Sequence, residues 1–433
     1  MSMNEELLTF LKDSPTSFHA VANMAAQLDA AGAVRLLEHE RWHLEAGKTY
    51  YVMRNHSALI AFKLPKKGMD AFQIVASHSD SPSFKLKENP AMVAEEHYTR
   101  LNVEGYGGML CAPWFDRPLS VAGRVMVRVA DGDGMFRTVV QRLVALDRDL
   151  LIIPSLAIHM NRQANSGYAY NIQKDLLPLL GDASAKGTLD ALIADALGIA
   201  PEAILSKELY VYNRQPGCVL GAKGEYIASP RIDDLQCAFA SLKAFLAVND
   251  PQNVAVHCVF DNEEVGSGTR QGAVSTFLKD TLTRIVTCMG GDHEDYVCCL
   301  AKSFMVSADN AHAVHPAHPD KADVGHRPYL NGGVVIKHSA NQKYTTDAVS
   351  EAVFKAICEG AGVPVQHFVN RSDMAGGSTL GNVAMAQTPM VTVDVGCAQL
   401  AMHSPYETAG AADTAYLCQA LTAFYAQAVV LPD

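Results

Sequence analysis

Histidine and carboxylate side chains follow apolar runs at several widely separated points of the sequence. The run in "FQIVASHSDSP" is an example, because it ends in a histidine and an aspartate, and "VAVHCVFDNEEVGS" ends in two adjacent glutamates. In open α/β sheets, ligands bind beyond the carboxyl ends of the strands, so we expect these side chains to gather at one edge. The full set is His78, Asp80, Asp233, Asp234, Glu263, Glu264, Asp309 and His403.

A metal centre would explain why so many carboxylates lie together, because a cation relieves the repulsion between like charges. Nitrogen and oxygen ligands suit zinc or a similar divalent ion, and a catalytic zinc normally takes only three protein ligands. Two ions that share one bridging carboxylate would account for five ligands. One of the adjacent glutamates then remains as a general base for an attacking water.

Each of these residues also has an ordinary structural explanation when it is taken alone. His78 is compatible with a hydrogen-bonded core histidine, and Asp233 with Asp234 resembles a helix N-cap and its neighbour. Glu263 and Glu264 are compatible with a solvated turn. The metal hypothesis therefore depends on the joint pattern and on no single residue.

The pattern of strands and helices predicts how these residues are positioned. From Pro230 onward, apolar β-type runs alternate with helical runs, which is typical of a largely parallel α/β sheet. The middle of the chain is rich in strands, and "VAGRVMVRVADGDGMFRTVV" predicts a hairpin. We expect one α/β domain from residues 1–89 and 226–433, with helices on both faces of a mostly parallel sheet, and a β-rich insertion at 90–225.

Composition indicates a globular protein and excludes several classes. The chain has 433 residues, 49% of them hydrophobic, and a net charge of −11, which argues against nucleic-acid and anionic-membrane partners. We find no signal peptide and no apolar run of transmembrane length, so a cytoplasmic location is expected. The ten cysteines include no C-x-x-C pair, which favours buried thiols without disulfides.

Five segments, taken in chain order, resemble the signature segments of the M18 family, the aspartyl aminopeptidases. They are "SHSDSP", "SPRIDDL", "FDNEEVGS", "SADNAHAVHP" and "AMHSPYE". The resemblance extends over nearly the whole chain and includes "IPSLAIHMNR" and "VVIKHSANQKYTTDAVSEAV". It implies a metallopeptidase domain carrying an inserted dimerisation domain, and removal of N-terminal aspartate or glutamate from peptides.

The resemblance also implies roles for individual residues at a centre of two divalent ions, with zinc preferred and manganese or cobalt as alternatives. The first ion would take His78, Asp233 and Asp309. The second would take Asp233, Glu264 and His403, with Asp233 as the bridge. Glu263 would be the general base, and Asp80 would orient His78.

Substrate contacts are implied at further positions: Lys337 for the acidic side chain, and Tyr344, Gly376 and Gly377. For His159 we expect contact with substrate in a neighbouring subunit, and we keep direct metal ligation and simple packing as alternatives. The resemblance implies a homododecamer built from dimers.

Other interpretations remain open at this point. An aminopeptidase of different specificity or a deacylase would use the same scaffold, and a non-catalytic shell or binding protein would keep the motifs. The loop "GGSTLG" lacks the Gly-Lys-Ser/Thr ending of a phosphate loop. The histidines of residues 312–318 suggest a loop near the site, with His312 lining the pocket.

Overall fold

The computed structural model describes residues 1–129 and 138–432. The chain divides into two compact units. The first comprises residues 1–80, 217–402 and 407–433, and the second comprises residues 81–216 and 403–406. The second unit begins and ends nine residues earlier than the insertion predicted at 90–225, apart from its short segment 403–406.

The helices in the described residues are α1 (Met3–Asp13), α2 (Ser17–Ala30), α3 (Ile172–Asp175), α4 (Thr188–Leu197), α5 (Ile232–Ala247), α6 (Phe277–Cys288), α7 (His293–Ala301), α8 (Ala348–Ala361), α9 (Leu380–Ala384) and α10 (Asp413–Ala426). The strands are β1 (Val34–Leu36), β2 (Thr49–Arg54), β3 (Ala58–Lys63), β4 (Phe72–His78), β5 (Ser83–Ala94), β6 (Tyr98–Tyr106), β7 (Leu119–Val129), β8 (Thr138–Ala145), β9 (Leu179–Asp182), β10 (Ile204–Asn213), β11 (Cys218–Leu220), β12 (Tyr226–Ser229), β13 (Val254–Phe260), β14 (Phe304–Ala308), β15 (Ala311–His312), β16 (Val334–His338), β17 (Val365–Val369), β18 (Val391–Gly396), β19 (Ala398–Leu400) and β20 (Glu407–Gly410).

The first unit is built on a nine-stranded sheet in the order β1-β2-β3-β13-β4-β14-β18-β16-β17. Its four central strands, β13, β4, β14 and β18, run parallel to one another. Strands β4, β13 and β14 are buried along their whole length, which explains their nearly continuous apolar sequences. The prediction of a mostly parallel α/β sheet is confirmed.

Helices cover both faces of this sheet. Alternate residues of a strand point to opposite faces, so one strand contributes to both cores. Val75 packs into a core with α1, α2, α5, α8 and α10, whereas Ile74 and Ala76 pack into a core with α6, α7 and α9. A second, five-stranded sheet in the same unit has the order β11-β12-β20-β19-β15. Its strands are two to four residues long, too short to give a pattern in the sequence.

Local signals set the ends of the helices. Ser2 and Glu5 form a capping box at the start of α1, and Asp347 accepts the Ser350 backbone N–H at the start of α8. Helix α8 ends at Ala361 and is followed by Gly362, whose φ of 69° is readily adopted only by glycine. These caps are encoded locally and do not depend on the rest of the fold.

The second unit contains a six-stranded antiparallel sheet in the order β8-β7-β10-β5-β6-β9. This unit has an apolar core of its own, to which Leu189 and Ile193 of α4 and Trp114 contribute. Strands β7 and β8 pair as the predicted hairpin requires, and the Asp-Gly-Asp-Gly turn lies outside the described residues.

Two further expectations concern membrane spans and cysteines. None of the helices in residues 1–129 and 138–432 is both long enough and apolar enough to span a bilayer. All ten cysteines fall within the described residues and form no disulfide, but only Cys237, Cys258, Cys299, Cys358 and Cys397 are buried. The expectation of buried thiols is therefore right for half of them.

Candidate metal centre

Three parallel strands of the main sheet deliver candidate ligands to the same edge. His78 is the last residue of β4, directly opposite Phe260 at the end of β13. Glu263 and Glu264 follow β13 in a short 3-10 turn, and Asp309 follows β14. The continuous hydrophobic strands therefore fix where each polar side chain emerges, as the sequence predicts.

His78 is held so that one ring nitrogen faces two carboxylates. Its Nε2 lies 3.6 Å from Oδ1 of Asp233 and 3.9 Å from Oδ1 of Asp309. Its Nδ1 lies 3.0 Å from the backbone oxygen of Asp80 and 3.4 Å from Oδ1 of that residue. A partner on the far nitrogen is the usual way in which a metal-binding histidine is oriented.

The carboxylate of Asp80 also holds the turn that carries the two glutamates. Its Oδ1 accepts the backbone N–H of Glu263 at 3.1 Å, and its Oδ2 accepts that of Glu264 at 3.2 Å. The turn is preceded by Asn262 in the left-handed conformation, with a φ of 63°. Asp80 thus fixes both His78 and the position of the glutamate pair.

Asp233 and Asp234 stand at the start of α5, where the backbone is not yet helical and the peptide bond between them is cis. The backbone N–H of Asp233 donates to Oε2 of Glu407 at 3.1 Å. Asp234 Oδ2 accepts the backbone N–H of His78 at 3.1 Å. The other oxygen of Asp234 is buried without a hydrogen-bond partner among the described residues.

Burial and mutual repulsion make these carboxyl groups hard to ionise in the absence of a cation. Burial is the largest cause that raises the pKa of Asp234, Glu264 and Asp309, and it raises the pKa of Glu263 to about 8. Neighbouring carboxylates add to each of these shifts. A divalent cation would reverse them, because it favours the charged form of every carboxylate around it.

The donor atoms lie close enough to share an ion. Donor atoms of His78, Asp234 and Asp309 lie within 4.8 Å of one another, and so do those of His78, Glu263 and Glu264. An unpaired buried carboxylate oxygen and a mixture of imidazole and carboxylate donors fit a zinc-type ion. The first unit alone brings together the predicted ligands His78, Asp233, Glu264 and Asp309.

Lys337 lies within this cluster and is buried. Burial would lower its pKa, but Asp309 and Tyr344 hold the pKa above its ordinary value. Its Nζ lies 2.8 Å from the backbone oxygen of Asp309, 3.5 Å from Oδ2 of the same residue and 3.4 Å from the backbone oxygen of Asn310. Two of these contacts are hydrogen bonds to backbone oxygens, and the third is an ion pair with the carboxylate.

The remaining predicted substrate contacts of the first unit lie in two loops, one between β16 and α8 and one between β17 and α9. Tyr344 is buried, and the Lys337 Nζ lies 5.3 Å from the centre of its ring. Gly376 lines a cavity of about 710 Å³, and a Cβ at this position would collide with the Asn370 amide. A Cβ at Gly377 would have open space around it.

Two predicted site residues belong to the second unit. His403 lies in the segment 403–406, and its Nδ1 contacts the backbone oxygen of Gly108. His159 is exposed, and so are the apolar side chains of Leu156, Ile158 and Met160 around it. Their roles remain predictions from the sequence.

Three further carboxylates support the centre: Asp234, which the sequence pattern includes without a specific role, and Glu407 and Asp394, which sequence reasoning missed. Asp234 and Glu407 hold the backbone at His78 and Asp233, as described above. Asp394 accepts hydrogen bonds from the hydroxyls of Thr345 and Thr379, each at 2.7 Å, and so joins the loops that follow β16 and precede α9. Glu407 ends the quoted segment "AMHSPYE", but nothing in its local pattern predicts a partner 174 residues away.

Comparison with known proteins places the chain in a family. Residues 10–425 match the family model described as aminopeptidase I zinc metalloprotease (M18). The chain is 45% identical over 430 residues to the probable M18 family aminopeptidase 2 of Clostridium acetobutylicum, covering 97% of this chain and 98% of the relative.

Solved structures agree with the sequence comparison. A chain in the cryo-EM structure of the Ape4 and Nbr1 complex superposes with a TM-score of 0.93 at 37% identity, over 97% of this chain and 85% of that one. The S. cerevisiae mApe1 dodecamer gives a TM-score of 0.84 at 26% identity, over 98% of this chain and 96% of that one.

Proposed function

The chain belongs to the M18 family of zinc metallo-aminopeptidases, and from that premise we propose that it removes acidic residues from the N-termini of peptides. Family membership makes it a metal-dependent aminopeptidase. The preference for aspartate and glutamate, the count of two ions and the identity of the general base are proposals.

One observation carries the proposal for the centre: the Nε2 of His78 faces the carboxylates of Asp233 and Asp309, while Asp80 holds the opposite side of its ring. We assign His78, Asp233 and Asp309 to one ion, and Asp233 and Glu264 to a second. His403 is the proposed further ligand of the second ion on the strength of its sequence motif, since it belongs to the other unit.

Bound zinc would supply a Lewis acid that makes water a better nucleophile and polarises the scissile carbonyl. Glu263 would accept the proton of the attacking water and then donate it to the leaving amine. Asp80 supports this role because it fixes the backbone of Glu263. Lys337 keeps Asp309 in place through its charge and its hydrogen bond to the backbone.

Lys337 also supports the proposed acidic specificity, because it is a buried cation inside the cluster. A substrate carboxylate that enters this region loses water, and a charge-assisted hydrogen bond to Nζ would offset that loss. Since Nζ already donates two hydrogen bonds to backbone oxygens and pairs with the Asp309 carboxylate, a substrate carboxylate would compete with these contacts. Tyr344, Gly376 and Gly377 remain proposed neighbours of the substrate.

Self-association is proposed for the second unit. His159 stands among exposed apolar side chains, a composition typical of surfaces that become covered by another molecule. A related protein, mApe1, is a dodecamer. We propose that this chain also assembles from dimers into a dodecamer, that His159 reaches a neighbour's substrate, and that the enzyme is cytoplasmic.

A chelation and substrate-panel experiment tests the proposed function. The protein is stripped with a chelator, zinc, manganese or cobalt is returned, and kcat/KM is measured on peptides that begin with Asp, Glu, Ala or Leu. We expect activity only with metal and the highest kcat/KM on the Asp and Glu peptides. A highest value on Ala or Leu peptides would overturn the specificity, and inactivity on every peptide with metal bound would favour a binding protein.

A further inference from the structure

A second group of side chains that could hold a metal ion shares no residue with the proposed catalytic centre. His338 is the last residue of β16, His367 lies in β17, and Glu351 lies in the first turn of α8. We propose that these three residues form a binding site for an additional divalent metal ion, with zinc as the preferred ion.

Sheet geometry explains why the two histidines meet. Strands β16 and β17 are parallel neighbours, and His367 stands opposite Ile336. Ile336 and His338 are two residues apart, so their side chains point to the same face of the sheet. His367 and His338 are therefore diagonal neighbours on one face, and their rings stack with centroids 5.9 Å apart. Helix α8 packs on this face and brings Glu351 to them.

The three side chains present their donor atoms to one point. His367 Nε2 lies 2.9 Å from Oε1 of Glu351, and His338 Nε2 lies 3.7 Å from Oε2. Donor atoms of all three residues lie within 4.8 Å of one another. Zinc bonds of about 2.0–2.2 Å in a tetrahedron place neighbouring donor atoms roughly 3.3–3.6 Å apart. The two observed nitrogen–oxygen distances, 2.9 Å and 3.7 Å, lie on either side of that range.

Two histidines and one glutamate form a known type of zinc ligand set, in which water takes the fourth position. The side chains are 26%, 33% and 24% exposed for His338, His367 and Glu351, which leaves room for that water. Burial also lowers the pKa of His338, which favours the neutral ring that a metal requires.

The competing explanation is a simple ion-pair cluster without metal. Lys355 supports it, because its Nζ lies 3.6 Å from Oε1 of Glu351 and would repel a cation. In favour of a metal site, both histidines direct a nitrogen at the same carboxylate, as they would if all three residues shared a cation. Removal of Lys355 therefore separates the two explanations, because it should raise the affinity for zinc only if the three residues bind zinc.

The test is a zinc count on full-length protein equilibrated in a metal buffer of fixed low zinc activity. Wild type is compared with His338→Ala, His367→Ala and Glu351→Gln, and with His293→Ala as a matched control at an exposed histidine of α7. The catalytic centre is intact in every variant, so its ions cancel in the difference. We expect each variant of the proposed site to hold one zinc fewer per chain and the control to match wild type.

Lys355→Met gives an independent readout that does not depend on removing a ligand. Without the competing ammonium, zinc affinity at this site should rise by about tenfold or more, as neighbouring groups typically tune metal sites. Equal zinc counts in wild type and all three variants would overturn the proposal. An unchanged affinity in Lys355→Met, together with full zinc retention in Glu351→Gln, would also contradict it.

Discussion

The ammonium of Lys337 lies 2.8 Å from the backbone oxygen of Asp309 and 3.5 Å from its carboxylate. A residue expected to meet the substrate is thus already bound to a proposed metal ligand. Both functions are compatible, since one charge can position Asp309 and attract an acidic side chain. The two functions predict different losses of kcat/KM across substrates when the charge is removed.

We predict that Lys337→Met lowers kcat/KM on all peptides and lowers it most on those that begin with Asp or Glu. The general loss follows from Asp309 losing its counter-charge, and the additional loss follows from an unpaired substrate carboxylate. Breaking a desolvated pair typically costs about 2–5 kcal/mol, so the acidic preference should fall at least tenfold.

Substrate ranking separates the two contributions of Lys337. The control is Lys302→Met, which removes an exposed lysine at the end of α7 and should leave all values unchanged. If Lys337→Met keeps the wild-type ranking of Asp, Glu, Ala and Leu peptides, this lysine only positions Asp309. The acidic preference must then come from other residues.

The proposed bridge predicts an asymmetry in metal content. Asp233→Asn should weaken the binding of both catalytic ions, because Asp233 would ligate each of them. His403→Ala should remove mainly one. Zinc per chain, measured after dialysis, is the test, and equal small losses in both variants would argue against two ions that share Asp233.

Assembly can be tested by complementation between inactive subunits. If His159 completes the site of a neighbour, oligomers that contain both His159→Ala and Glu263→Gln subunits will have some sites with both intact residues. We therefore expect mixing under conditions of subunit exchange to restore part of the activity. Mixed oligomers of confirmed composition that stay inactive would indicate that His159 acts within its own subunit or only packs.

The buried His257 predicts how stability depends on pH. Burial lowers its pKa to about 3, and its Nδ1 lies 2.8 Å from the Ser241 hydroxyl. The unfolded chain binds this proton below a pH of about 6.5 whereas the folded chain does not, so stability falls as pH drops from about 6.5 towards 3. At pH 5 the contribution amounts to about 2 kcal/mol.

We expect His257→Gln to lose less stability than wild type between pH 7 and pH 5, by about 2 kcal/mol. Urea unfolding of metal-free protein measures this, because metal binding carries its own pH dependence. His293→Gln, at an exposed position, should behave as wild type. If the free energy of unfolding changed with pH equally in His257→Gln and wild type, groups other than His257 would determine the pH dependence of stability.

The sequence predicts the ends of the central strands because fully buried parallel strands are continuous apolar runs, and a charged residue marks where each run leaves the core. His78 and Asp309 were found in this way. The structure places them, with Asp233 and Glu264, around one point of the sheet edge.

Other relationships have no local signal. Lys337 binds backbone oxygens 27 and 28 residues away. Which carbonyls it reaches depends on how the sheet places β16 relative to the residues after β14, with β18 between the two strands. The site of His338, Glu351 and His367 likewise combines a strand, a helix and a second strand, so no fixed spacing reveals it. Such contacts follow from tertiary packing, which periodicity does not describe.

The central claim is that Glu263 is the general base of a metal-dependent aminopeptidase. The most direct test is Glu263→Gln, which keeps the shape of the side chain and removes its ability to accept a proton. Steady-state turnover on an N-terminal aspartyl peptide and zinc per chain are measured on the same sample. The account predicts a fall in kcat of about 10²–10⁴-fold with zinc content equal to wild type. Turnover close to wild type, or loss of one zinc per chain, would contradict it.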